Sequence, residues 1–407
     1  MLTTLPPTPA VASRLSLDAG ALAHNLGVFR EIVGPGVRVG CVVKGNAYGH
    51  GLLEVLPAVH PACDVLDVVT AQEAATIRAW EARTGAPRRD VLVIGPVDAT
   101  EAVALAGLGV ELVVGDPSLA GHLPALRAAG VPPLRVHVHV DSGLSREGFL
   151  PETLASELAW LREAGPVVEV VGVLTHFADT EDVTEQTWAR RQLARFDEGD
   201  RALRAWLAEL GRPTALTRHA AASAAALVLP ESRLDLVRVG ISAYGLWPSR
   251  ETRISTRLVR GSLPELRPVL SWRVPSQLVK TVPAGSYVGY GCTHRCRDET
   301  RVAVLPVGYF DGYPRLLSNR AHVLVDGRRC PVLGRVMMNH VIVDVTGLRR
   351  EVDHVVATLL GEDGGERVTA DDLADWAQTI SYELVTRLGA HLRRELVAVD
   401  ASGQGTD

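Results

Sequence analysis

The sequence predicts a (β/α)₈ barrel followed by a second, mainly β domain, and three observations carry that prediction. From Arg14 to about Trp247 one rhythm repeats: an apolar, β-branched run ends in polar residues or glycine, and an Ala/Leu/Arg-rich helical stretch follows. Eight such runs fit into about 230 residues, the span such a barrel needs. After Ser249 the texture changes to short Val-rich runs punctuated by Gly and Pro.

In chain order, a helix over Ala19–Val33 leads into strands Val37–Lys44 and Val65–Thr70. A helix Gln72–Arg83, strands Asp90–Gly95 and Glu111–Gly115, and a helix Ser118–Ala129 come next. Strands Leu134–Val140 and Val167–Thr175, a helix Thr184–Leu210, and strands Leu216–His219 and Leu234–Val239 complete the set. A doubly wound open sheet is the competing arrangement of the same elements. In the second domain the strands expected are Leu278–Pro283, Val302–Val307, His322–Asp326 and Val341–Val345, with a helix over Asp371–Leu388. The domains read as an N-terminal arm 1–13, a barrel 14–249, a β domain 250–401 and a tail 402–407.

Composition narrows the function. The 407 residues are 47% hydrophobic and 22% charged, ordinary for a globular protein. A net charge of −5 offers no basic stripe for nucleic acid, and no run of ~18 apolar residues suggests a membrane partner. The start, Met1 to Arg14, lacks the pattern of a signal peptide. Five cysteines, an odd number, suit reduced thiols in the cytoplasm; Cys292 and Cys296 lack the second pair a zinc site requires.

Charge chemistry singles out one residue. Lys+Arg total 42, but lysine occurs only at Lys44 and Lys280, so the other 42 − 2 = 40 are arginine. Arginine stays protonated, whereas a buried lysine amine can lose its proton and act as a nucleophile or base. Lys44 closes the first predicted barrel strand and opens Gly-Asn-Ala-Tyr-Gly-His-Gly, a position suited to Schiff-base chemistry. Barrel chemistry gathers at the strands' C-terminal ends. Those ends also carry Tyr48, Arg146, His176, His219, Ser223, Arg238, Gly240 and Ile241. Ser223 and the amides near Gly240 suit a phosphate.

These residues fall into a pattern. Val43-Lys-Gly-Asn-Ala-Tyr-Gly-His-Gly51 resembles the cofactor-lysine motif of the pyridoxal 5′-phosphate-dependent alanine racemases. Arg238-Val-Gly-Ile-Ser-Ala-Tyr-Gly-Leu246, Val288-Gly-Tyr-Gly-Cys-Thr293, Pro306-Val-Gly-Tyr-Phe-Asp-Gly312 and Gly334-Arg-Val-Met-Met-Asn-His340 follow in that family's order. The resemblance runs from Leu15 to about Glu395 and implies a cytoplasmic homodimer with shared active sites, supplying D-alanine for peptidoglycan. It implies that Lys44 carries the cofactor and serves as one base, while Tyr290 of a partner subunit serves as the other. It implies that Arg238 faces the pyridine nitrogen and that Arg146 binds the phenolic oxygen and orients the substrate carboxylate. Tyr48, Ser223, Gly240, Ile241 and Tyr382 would hold the phosphate, and His176 with Arg238 would supply the positive surroundings Tyr290 needs. Tyr309 and Met338, from the partner, would narrow the entrance.

Three departures stand out. Asn339 stands where many members carry Asp, which leaves the amino-acid preference open. His139 stands where some carry a carbamylated lysine, so another contact must position Arg146. Gly45 replaces a small non-glycine residue. Competing readings are a broad-specificity or serine/basic amino-acid racemase, a decarboxylase of the same fold, and a metal-dependent hydrolase built on His137, His139, His176 and His219.

Overall fold

In the computed structural model the described residues are 13–348 and 353–398. The expected tail 402–407 and residues 1–12 of the expected arm lie outside them. The chain passes through β1 (Arg14–Asp18) and the helix Ala19–Val33 into β2 (Arg38–Val42), β3 (Val65–Val68), β4 (Asp90–Val93) and β5 (Glu111–Val114). Then come β6 (Leu134–His139), β7 (Val168–Leu174), β8 (Thr217–His219) and β9 (Leu236–Val239). Strands β2 to β9 pair in parallel in the order β8-β7-β6-β5-β4-β3-β2-β9. Three residues beyond the end of β8, Ala222 forms an isolated bridge to Arg238 of β9. There the Arg238 N–H donates to the Ala221 carbonyl at 2.9 Å, so the sheet curls into a nearly closed barrel. All eight barrel strands lie where the sequence places them, each shortened by one to three residues.

The outward faces of the strands bury Val39, Cys41, Leu66 and Val91. The inside is unusual for a barrel, where branched apolar layers dominate. Val65, Leu92 and Leu236 pack together there, but Asp67, Glu111, His137, His219 and Arg238 are buried as well. Glycine makes the room. Gly40 pairs with Arg238 on one side of β2, and a Cβ on it would stand 2.7 Å from Asp67 Oδ2. A Cβ at Gly172 would collide with the His137 ring, and the β6–β7 register shifts between Val136 and His137 at the same level.

The barrel unit comprises Ala21–Ala47 and Leu56–Arg267. The helix Arg250–Arg260, capped by the Ser249 hydroxyl, belongs to it, although the change of texture after Ser249 suggested that the second domain begins there. No helix among the described residues is long and apolar enough to cross a membrane.

The other unit takes, of the described residues, those up to Gly20, Tyr48–Val55 and those from Pro268 onward. Its strands are β10 (Leu270–Pro275), β11 (Leu278–Val282), β12 (Tyr287–Val288), β13 (His294–Arg295), β14 (Thr300–Leu305) and β15 (His322–Val325). They continue with β16 (Arg328–Pro331), β17 (Val341–Asp344), β18 (Val356–Asp363), β19 (Glu366–Val368) and β20 (Arg393–Val397). The main sheet runs β16-β15-β18-β10-β1-β20, with β19 on β18; β11-β14-β17 and β12-β13 form two smaller sheets. The boundaries read at residues 14 and 249 therefore do not coincide with those of the units, because β1 pairs antiparallel with β10 and parallel with β20. The helix expected over Asp371–Leu388 is two helices, Ala370–Ala377 and Ser381–Thr386, interrupted where Gln378 takes φ 57°.

Within this unit Arg394 braces the glycine-rich end of the cofactor-lysine motif. Its Nε donates to the Gly49 carbonyl at 2.8 Å, and its Nη groups donate to the carbonyls of Gly389, Leu392 and Leu388. Gly49, at φ +80°, lies so close to the Val385 carbonyl that no side chain fits. The same docking sets the Tyr48 and Tyr382 rings 6.2 Å apart.

Asp67 generates a prediction. Both its carboxylate oxygens lack hydrogen-bond partners, and burial, opposed by the charges of Arg238 and Lys44, pushes its pKa up to about 7. Below pH ~4 the carboxyl is protonated folded or unfolded. Between there and about 7 only the unfolded chain ionises, so this group lowers stability as pH rises through that window. Asp67→Asn should raise the melting temperature relative to the parent by an amount that grows from pH 4 to pH 7. A pH-independent difference would show that the carboxyl ionises normally.

Candidate active site

The residues singled out in the barrel sequence converge at the strands' C-terminal ends. Lys44 follows β2 directly, and the chain behind it winds the wrong way: Gly45, Asn46, Ala47 and Tyr48 all have positive φ, at 63°, 55°, 55° and 52°. A left-handed turn costs an L-residue roughly 1–2 kcal/mol, so three non-glycine residues in a row need support. Glu73 supplies much of it. One of its carboxylate oxygens accepts from the Gly45 N–H at 2.8 Å and the Asn46 N–H at 3.3 Å. The other accepts from Val69 and Thr70 at 3.0 and 3.3 Å. Glu73 also belongs to the capping box of the helix Ala71–Thr84. The sequence reading overlooked it, although Thr70-Ala-Gln-Glu73 is a visible capping signature.

Burial pulls the Lys44 amine below its usual range, helped by Arg146 and Arg238 and opposed by Asp67 and Glu147. Arg238 is buried in β9. Its Nη1 donates to His219 Nδ1 at 2.8 Å and to the His219 carbonyl at 3.2 Å. Its Nη2 donates to the carbonyls of Thr175 and Ala220 at 2.9 and 3.3 Å. Burial, partly offset by Asp67, draws its pKa down to about 10, so it remains a cation at neutral pH. The four Nη hydrogens are committed, and Nε–H has no protein acceptor among the described residues.

Ser223 is buried at the start of the helix Ser223–Val228, and its Oγ accepts from the Gly240 N–H at 2.9 Å. Its own hydroxyl proton stays available, beside the backbone of Gly240 and Ile241. Burial, with the charges of Arg238 and Arg146, takes His176 down to about 3, so it is neutral at pH 7. The positive charge at this mouth therefore resides on the two arginines, not on His176.

Arg146 is exposed and turned to its neighbour: its Nη2 and Nε donate to Glu147 Oε1 at 2.7 and 3.2 Å. The same oxygen lies 3.8 Å from His139 Nδ1, a buried nitrogen without a partner. Glu147 is thus the side chain that Arg146 contacts beside His139, and nothing in its sequence setting distinguished it. The histidines that suggested a metal site do not converge as ligands, since His137 and His219 bond to each other.

The remaining predicted site residues lie in the other unit. Tyr48 and Tyr382 are paired there as described. Tyr290, Tyr309, Met338 and Asn339 share one rim: the Tyr309 N–H donates to the Met337 carbonyl and the Phe310 N–H to the Met338 carbonyl, each at 3.0 Å. Gly289 and Gly291, on either side of Tyr290, lie against Arg335. Tyr290 is 69% exposed, and Tyr309, Phe310 and Met338 are exposed with it.

The donor set at the barrel mouth suits pyridoxal phosphate. A half-buried amine can take an aldehyde, a buried guanidinium keeps one donor for a ring nitrogen, and a buried hydroxyl that keeps its own proton can donate it to a phosphate.

Comparison with known proteins agrees. Residues 17–248 match the family model for the alanine racemase N-terminal domain, and 269–396 match that for the C-terminal domain. The chain is 34% identical to an alanine racemase of Leptospira interrogans over 95% of its own length and 96% of the relative's. It is 39% identical to one of Symbiobacterium thermophilum over 93% and 95%. It is similar to the crystal structure of alanine racemase from Bacillus anthracis with bound L-Ala-P, with a TM-score of 0.84 at 31% identity, covering 99% of this chain and 98% of that one. The chain belongs to the alanine racemase family of amino-acid racemases.

Proposed function

We propose that this chain interconverts L- and D-alanine with pyridoxal phosphate held by Lys44, using Lys44 and Tyr290 of a partner subunit as the two bases. The observation that carries this reading is a half-buried amine of lowered pKa beside a buried guanidinium whose Nη hydrogens are all bonded to protein and whose Nε–H is not. When bound, pyridoxal phosphate supplies a sink for the electron pair left as the Cα–H bond of an amino acid breaks.

The chain's own residues then do the following. Lys44 would anchor the cofactor, and the downward shift of its amine favours its service as the base on one face of Cα. Arg238, whose Nη hydrogens are already committed to protein acceptors, would face the ring nitrogen, and a guanidinium that keeps its proton would leave that nitrogen unprotonated. Ser223, Gly240 and Ile241 bind the phosphate, and the resemblance adds Tyr48 and Tyr382. Arg146, held by Glu147, orients the substrate carboxylate. His176, neutral beside Arg238, lines the mouth.

Inversion needs a base on the opposite face. Tyr290, Tyr309, Phe310 and Met338 form an exposed apolar rim of the kind that marks a protein contact, which supports a homodimer in which each subunit completes the other's site. Asn339 on that rim bears on side-chain preference. The setting proposed is the cytoplasm, where the product enters peptidoglycan.

L-Alanine incubated with the enzyme in D₂O should yield α-deuterated alanine of both configurations; ethylamine would indicate a decarboxylase. The same assay run on L-Ser, L-Lys and L-Arg reads the range left open by Asn339. Lys44→Ala should abolish racemisation and the covalent cofactor adduct seen by mass spectrometry after borohydride reduction; an adduct that persists would overturn the assignment. Tyr290→Phe should slow exchange from one enantiomer by ~100-fold or more and spare the other; equal, undiminished exchange would remove it as a base. Glu73→Gln should destabilise the protein by about 1–3 kcal/mol, because it weakens four bonds to backbone N–H groups, and should slow cofactor incorporation. Unchanged melting and loading would show that the turn after Lys44 holds without it.

A further inference from the structure

Arg238 is the visible end of a longer chain of buried groups. His219 Nε2 lies 2.8 Å from His137 Nδ1, and His137 Nε2 lies 2.9 Å from Glu111 Oε2. Glu111 Oε1 accepts from Arg135, at 2.8 Å, at the outer end of β6. Glu111, His137, His219 and Arg238 are all buried.

Hydrogen-bond logic fixes every proton along this line. A guanidinium has no acceptor, so Arg238 must donate and His219 Nδ1 must carry a lone pair. The His219 proton therefore sits on Nε2 and is donated to His137 Nδ1. That nitrogen in turn accepts, so the His137 proton sits on Nε2 and is donated to Glu111. Both rings are neutral and of one tautomer. The direction of the whole line is consistent only with an acceptor at its far end, which is Glu111. Burial alone would raise the Glu111 carboxyl, but the bond from His137 and the charges of Arg135 and Arg38 bring it below its ordinary value. Gly172 keeps the line open, since a Cβ there would strike the His137 ring.

We infer that Glu111 is a positioning residue for the reaction: by accepting from His137 it sets the tautomers through which His219 holds the Arg238 guanidinium in place. This rests on the reading in which Arg238 serves the cofactor's ring nitrogen. If the acceptor at position 111 is lost, His137 and His219 are free to reverse, and a proton on His219 Nδ1 would then face an Arg238 donor. Glutamine at that position still offers an acceptor, whereas leucine offers none.

The tautomers are read first, by ¹⁵N spectra of the histidine-labelled enzyme at neutral pH, with His137→Gln and His219→Gln assigning the signals. Both rings should carry their proton on Nε2. A proton on Nδ1, or on both nitrogens of either ring, overturns the inference without any variant at Glu111. Glu111→Leu should then lower kcat by about 10- to 100-fold with KM little changed, while Glu111→Gln stays within about threefold of the parent. Leucine, but not glutamine, should raise the share of alanine released as pyruvate, the sign of a disturbed ring-nitrogen partner. A folded Glu111→Leu enzyme with parental kcat and pyruvate share would sink the proposal, as would Gln and Leu behaving alike. If Glu111→Leu does not fold, the tautomers decide. Failure of the cofactor reading itself would show separately, as a covalent adduct surviving in Lys44→Ala.

Discussion

The burial of the Arg238 guanidinium is the constraint around which the barrel is built. A charge taken out of water is destabilising unless its hydrogen bonds are met and a counter-charge lies near. Here four Nη bonds run to one imidazole and three carbonyls of successive strand ends, and Asp67 lies within electrostatic reach. Each of those solutions needs space. Gly40 and Gly172 stand where a barrel strand would ordinarily offer a branched side chain, and the volume they release is taken by Asp67 and by the His137 ring. The polar interior therefore follows from one buried cation, and the strand composition follows from the interior.

Lys44 poses the opposite problem. Its charge must be removable, so it is half-buried and supported from outside. The left-handed turn behind it is unfavourable in isolation, and Glu73 secures it from the barrel side with two backbone amides. The same carboxylate holds the first turn of the next helix, so the placement of Lys44 is tied to a rigid element instead of a loop. Strain of this sort persists only where surrounding structure over-determines it.

How much of this was legible in the sequence depends on range. The barrel strands were legible because each is a short β-branched run followed locally by its helix. Strand β1 was not, because its partners β10 and β20 are about 250 and 380 residues away and nothing near Arg14 marks the pairing. The helix Leu52–Ala62 carries Pro57 and Pro61 and reads as a breaker-rich segment. The break at Gln378 was hidden because a non-glycine residue takes the left-handed conformation there. In the site, Lys44 stood out through scarcity and Arg238 through its motif. Asp67 and Glu111 did not, since a carboxylate in a barrel strand gives no local sign of whether it faces the barrel interior or the helices.

Lysine scarcity has a physical sense once the two environments are compared. Arginine keeps its proton at nearly any depth, and Arg238 does so even when buried, with its pKa at about 10. The same burial acting on Lys44, which starts from a lower value, moves it toward the range where a neutral amine is present at physiological pH. An arginine at position 44 would stay charged and could act neither as nucleophile nor as base. A lysine at 238 would bring a removable proton to a place that requires a permanent one, and three rotatable donors in place of a planar fork that reaches His219, Thr175 and Ala220 together. The two positions demand opposite responses to burial, and the choice between the two basic side chains is settled by that difference.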